Sequence, residues 1–183
     1  MVDIPFLRNY NRNMDTKIKQ AMAETMKTFR LPRYDELPTM GLYLEQATKY
    51  INQCVEPLGC IEITSSMIRN YVKMRLVRNP VQKLYYADQF AHLIPIAILK
   101  HVLPLEYFGD LFNRQQKVYT DETAYNYFCM ELENILYHRF GLKDSIDDIG
   151  ETSSMEKEIL RSAVTAVSHI IFINSCLAAS KNE

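Results

Sequence analysis

Apolar residues in this chain return every third or fourth position, and nowhere do they alternate with polar residues for a sustained run. That periodicity commits most of the backbone to helices, because a half-buried strand needs a period of two. Five glycines and seven prolines punctuate the pattern without making a loop-rich chain. A helix is expected from Met14 to Phe29, with Ile18, Met22, Met26 and Phe29 on one face, after an arm over Met1–Asn13. Leu31-Pro32 and Leu37-Pro38 bound a connector over residues 31–41, and helical spacing resumes from Leu42 to Val55, with Leu44, Ala47, Thr48 and Ile51 in register.

The stretch from Ile63 to Leu93 carries the most specific signal, having no acidic residue between Glu62 and Asp88. Thr64 is suited to cap a helix from Ser65 to about Met74, its hydroxyl accepting a first-turn N–H. Spacing puts Met67, Ile68 and Tyr71 on one face and Ser66, Arg69, Asn70 and Lys73 on the other. Arg75, Arg78 and Lys83 follow around the turn signal Asn79-Pro80, and Leu84-Tyr85-Tyr86 is β-prone, so a small hairpin or wing is expected beside the helix. A helix with a polar, basic face followed by a basic wing is how helix-turn-helix proteins enter the major groove and hold the flanking phosphates. A solvated surface helix with an ordinary loop would carry the same charges.

Arg69-Asn70-Tyr71, Leu76-Val77, Lys83-Leu84-Tyr85 and Phe90-x-x-Leu93 together resemble the winged helices of MerR-like proteins. The wider segment, from Leu31-Pro32-Arg33-Tyr34 through Leu37-Pro38 and the helix ending at Ile51 to Leu93–Leu105, more closely resembles a bacterial family, domain of unknown function 1836, over roughly Leu31 to Phe112. The resemblance implies a MerR-like DNA-binding module: Arg69 would touch phosphate or brace its helix, Tyr71 would pack beneath it, and Lys83 would replace the arginine of the wing. The chain departs from the MerR pattern at Asn70, where an aromatic is usual, and at Arg75, where glycine is usual. Asn70 carries an amide of the kind that pairs with adenine. The turn over residues 56–62 is also longer than in the minimal motif.

Beyond it, Phe90, Leu93, Ile94, Ile96, Ala97 and Leu99 form an apolar segment in which Pro95 opens or kinks a helix, stopped by Leu103-Pro104. A helix from Leu105 to about Gln116 follows. Thr120 caps another, Asp121 to Phe140, which Gly141 ends. Residues 142–153 read as an acidic loop. The last helix starts at Ser153 or Ser154, is nearly all apolar from Ala163 to Ala179, and reads as a helix buried all round, shorter than a membrane span and covered in part by a second subunit. The expected fold is therefore all-α: a MerR-like winged helix-turn-helix with a short β-hairpin wing, packed with a C-terminal helical bundle. Residues 1–104 would hold the DNA-binding region and residues 105–183 a dimerisation or effector region.

Net charge supports that division, although it sums to only −1. Residues 1–100 hold 14 basic and 9 acidic side chains, a balance of +5, and residues 101–183 hold 7 and 13, a balance of −6. Cys54, Cys60, Cys129 and Cys176 lack zinc-type spacing and there is no secretory signal, so reduced thiols in the cytoplasm are expected. No phosphate loop, nucleophile elbow or metal-binding histidine pair is present; His92 and His101 are nine residues apart, and Glu131, Glu133 and His138 are read as surface groups. Neither an enzyme nor a cofactor or metal is expected. The leading expectation is a homodimeric transcriptional regulator that contacts double-stranded DNA through Ser65, Ser66, Arg69, Asn70, Lys73, Arg75, Arg78 and Lys83. The alternative is a helical protein-interaction module, and no long heptad repeat of the MerR kind is seen.

Overall fold

The computed structural model describes residues 16–17, 19–150 and 154–179. The arm over Met1–Asn13, the helix start at Met14, and Ile18, Glu151 and Ser153 lie outside these residues. A helical stretch over residues 19–27 and a short 3-10 turn, Tyr34–Glu36, lead into β1 (Leu42–Tyr43), α1 (Leu44–Val55) and α2 (Ser65–Lys73). These are followed by β2 (Leu84–Tyr85), α3 (Ala87–Leu99), α4 (Leu105–Gln115), α5 (Asp121–Arg139) and α6 (Met155–Ala179). The fold is predominantly helical, with one two-stranded sheet.

Local chemistry sets the helix starts. Thr64 Oγ1 accepts from the Met67 N–H at 3.2 Å, Thr120 Oγ1 from Thr123 at 3.1 Å, and Ser154 Oγ from Lys157 at 3.2 Å. Helix α1 begins two residues later than its periodicity suggests, because Leu42 and Tyr43 pair antiparallel with Tyr85 and Leu84. The sheet therefore joins the start of the first helix to the end of the basic segment.

Helix α3 is the centre of the molecule. Every residue from Gln89 to Leu99 is buried, and the helix continues through Pro95. Pro95 has no N–H to give the turn below it, but burial of ten neighbours outweighs one absent bond. One face of α3 meets α1, where Phe90 stacks edge-on against Tyr50 at 5.2 Å, and the other meets α5 and α6. A single apolar cluster runs from Met22 to Ile171 through both expected regions.

Two expectations are corrected. Helix α6 buries Ala163, Val164, Val167, Ser168 and Ile171 along one side only, leaving Ile173 and Leu177 more than half exposed. Its 25 residues are long and apolar enough to cross a membrane, yet its buried side packs along α5. Glu131 and Glu133 are not surface groups either: they are 0% and 8% exposed. Each is buried beside an arginine from another element, Arg161 and Arg33, which is how a carboxylate survives removal from water. His138 does lie at the surface.

Candidate nucleic-acid interface

Helices α1 and α2 are held at a fixed angle by polar contacts at their junction. Asn52 donates to the Ile63 carbonyl and accepts from its N–H, both at 2.9 Å, closing the seven-residue turn. Ser65 Oγ lies 2.9 Å from Thr48 Oγ1 and donates to Glu45 at 2.9 Å. Leu58, Ile61 and Ile63 are buried beneath the turn. The added length is thus packed into the core, leaving the α1–α2 unit rigid.

Ile68 and Tyr71 are the buried positions of α2, and Ser66, Arg69, Asn70 and Lys73 project from the opposite face. Met67, expected on the packed side, is 37% exposed, and its sulfur receives the ammonium of Lys100 at 3.7 Å. Lys100 also donates to the Glu62 carbonyl, tying the end of α3 to the turn before α2. Of the expected contact set, Ser65 is engaged within the fold, and Ser66, Arg69, Asn70, Lys73, Arg75, Arg78 and Lys83 are exposed. Asn70 turns its amide toward Met74 Sδ at 3.4 Å.

The backbone after α2 is unusual. Arg75 has φ of 60°, and its N–H and that of Leu76 reach back to the Val72 and Tyr71 carbonyls at 2.9 and 3.0 Å. This is a Schellman stop, in which the left-handed residue is ordinarily glycine. Gln82 and Lys83 also have positive φ, 50° and 69°, forming a tight turn across which Val81 and Leu84 exchange hydrogen bonds at 3.0 and 2.9 Å. Among the described residues these three are the only non-glycine positions with positive φ, and two of them are basic. The wing is consequently smaller than a free-standing hairpin: one bridge at the turn, with β2 taking its partner from β1.

Arg78 projects from this segment with its side chain 65% exposed, 3.8 Å from Asp88 and 3.9 Å from Asp121. Behind it lies His92, 6% exposed, with Nδ1 3.0 Å from the Asp88 carbonyl and Nε2 3.6 Å from Asp121. Burial pushes the His92 pKa below its usual value, against the opposing pull of Asp121. The periodicity gave no sign of this cluster, since its members come from the wing, α3 and α5.

A family described as Domain of unknown function (DUF1836) matches residues 32–132. The chain belongs to this family. The family segment contains both strands, α1 to α4 and the first twelve residues of α5, so it extends past Phe112 to include the wall against which α3 packs. No curated protein and no solved structure matches the chain.

Proposed function

We propose that this chain binds double-stranded DNA as a transcriptional regulator, through a MerR-like winged helix-turn-helix in which α2 enters the major groove and residues 75–83 lie along the phosphate backbone. The observation that carries this reading is the concentration of every positive-φ non-glycine residue of the described chain in the basic segment beside α2. Left-handed conformations cost more for arginine, lysine and glutamine than for glycine, and strain of this kind collects where side chains do something other than pack. Arg75 and Lys83 in these positions extend a row that includes Arg69, Lys73 and Arg78, with no carboxylate on the intervening chain. The basic side chains supply salt-dependent affinity, and Ser66 and Asn70 face the base edges.

The test is binding to a labelled random-sequence duplex across a salt series, beside a folded variant with Arg69, Lys73 and Arg75 changed to Glu. The wild-type constant should fall steeply as salt rises, and the variant should show no binding. Absence of wild-type binding at low salt defeats the reading. A protein-interaction module is then favoured, and the exposed Met40, Tyr43, Met67, Met74 and Val81 around the same face are what such a partner would cover.

The reading includes a homodimer. On α6 the exposed positions Met155, Ile159, Ser162, Ala166, His169, Ile173 and Leu177 follow one another at intervals of three and four, the spacing of a helix-pairing seam. Small residues at its middle permit close approach of a second α6.

A further inference from the structure

Helices α3, α4, α5 and α6 enclose a cavity of about 310 Å³ on the side of α3 opposite the α1–α2 unit. Its volume suits a small molecule. Ala91 and Pro95 of α3, Leu111 of α4 and Leu160 of α6 contribute aliphatic walls. Three rings that are not fully buried, Phe112, Tyr119 and Tyr127, complete the apolar lining. Phe112 meets His92 edge-on at 4.6 Å, and the ammonium of Lys157 lies 5.9 Å from the centroid of Tyr127. Aromatic faces attract positive charge, and here one of them already has a cation above it.

The charges on the wall do not cancel. Lys157 donates to the Gly150 carbonyl at 2.9 Å and lies 3.4 Å from Asp148. Asp121 shares Arg78 with Asp88, at 3.9 and 3.8 Å. His92, 3.6 Å from Asp121, is held below its usual pKa by burial and adds no charge at neutral pH. Each cation at the wall thus has a carboxylate beside it. Glu156, partly buried in the first turn of α6, lines the same space and has no ion-pair partner among the described residues. One negative charge is left over at the edge of an apolar, ring-lined volume. A cation seated there gains both the ring faces and this carboxylate.

We propose that this cavity binds a small aromatic monocation, with its ring against Phe112, Tyr119 and Tyr127 and its positive charge toward Glu156. The site stands on its own walls and does not depend on the DNA reading. Titration with auramine O, an aromatic monocation whose emission rises when its rings are held still, should give a saturable rise at one probe per chain. Ala91→Phe and Leu111→Trp each fill the volume from a different helix, and in variants that retain the wild-type helical signal they should abolish the rise. Charge recognition is read by displacing the probe with phenyltrimethylammonium and with tert-butylbenzene, its uncharged carbon isostere. Glu156→Gln should weaken phenyltrimethylammonium roughly tenfold and leave tert-butylbenzene unchanged. Glu158→Gln removes a neighbouring carboxylate that is exposed and off the wall, and should alter neither. A rise that does not saturate, or one undiminished in the filled variants, overturns the site. Phenyltrimethylammonium binding that Glu156→Gln leaves intact, or weakens no more than Glu158→Gln does, overturns the role of Glu156 and the charge of the guest. An equal loss for both competitors overturns them as well, since it reads a change of shape and not of charge.

Discussion

Arg33 and Glu133 meet fork to fork across 100 residues of chain, Nη1 to Oε1 at 2.7 Å and Nη2 to Oε2 at 2.6 Å. The same carboxylate accepts the Leu31 N–H at 2.9 Å, and Arg33 Nη1 donates to the Leu31 carbonyl at 3.1 Å. Glu133 therefore anchors the connector before β1 to α5, and through it the α1–α2 unit to the C-terminal helices. Glu133→Ala leaves a half-buried guanidinium and an N–H without their acceptor and should destabilise the fold by about 2–4 kcal/mol. Arg33→Lys keeps the charge but loses the fork, and should recover only part of the wild-type value. Urea unfolding midpoints of the two variants check this; a Glu133→Ala midpoint equal to wild type would show that the pair does not hold the connector.

Arg75 should respond in opposite directions to two measurements. Glycine accepts φ of 60° without steric cost, so Arg75→Gly should stabilise the fold by about 1 kcal/mol. On the DNA reading it should also weaken binding and reduce the slope of log affinity against log salt by about 0.9, the share of one phosphate contact. Thermal unfolding and the salt series are run on the same preparation. A variant more stable and equally tight in binding would assign Arg75 no part in the interface.

Gly41 tests the sheet. A Cβ at this position would lie 2.7 Å from Leu84 Cβ and 2.7 Å from Tyr86 Cζ. Leu84 Cβ is fixed to the backbone of β2 and cannot move without it, so Gly41→Ala must push the wing away from α1. The expected loss is about 1–3 kcal/mol, with faster amide exchange at Leu84 and Tyr85 than at Ile68. Uniform exchange across all three would mean that the strand pair yields without opening.

The helices could be read from the chain because their starts are local events: Thr64, Thr120 and Ser154 cap α2, α5 and α6 by reaching three residues ahead. The exposed basic face of α2 followed from spacing alone for the same reason. Contacts across the chain left no periodic trace. Glu131 and Glu133 flank the apolar stripe of α5, where charge alone suggests exposure, and the spacing does not show that Arg161 and Arg33 arrive from elsewhere to sit beside them. The turn at residues 81–84 is smaller than the β-prone run suggests, because the strand that pairs with β2 lies before α1, and the apolar run of α6 does not reveal which of its sides finds cover.

His92 should give stability a pH dependence of known sign. Its folded pKa is lowered from the ordinary value, chiefly by burial, with Asp121 opposing and Arg78 reinforcing the shift. The unfolded chain therefore binds the proton more readily. The contribution of neutral His92 is complete above an unfolded pKa of about 6.5 and is lost as pH falls below it toward the folded value. His92→Gln, which keeps a polar side chain but does not titrate, should flatten the unfolding midpoint below that pH relative to wild type. An unchanged slope would locate the acid sensitivity elsewhere.

The exposed seam of α6 makes the strongest claim on assembly. Ile173 is 54% and Leu177 56% exposed, and the seam contains no charge among Ser162, Ala166, His169, Ile173 and Leu177. A surface helix facing water on that side would be expected to carry charged residues there, since the opposite side already supplies the core. If a second α6 covers the seam, Ala166→Glu places two carboxylates at its tight centre and Ile173→Glu buries two more near the end, while neither side chain touches the monomer core. Sedimentation should show a dimer for wild type and a monomer for both variants, with helix content unchanged. A wild-type chain that sediments as a monomer at tens of micromolar would remove the dimer and leave the seam to a different partner.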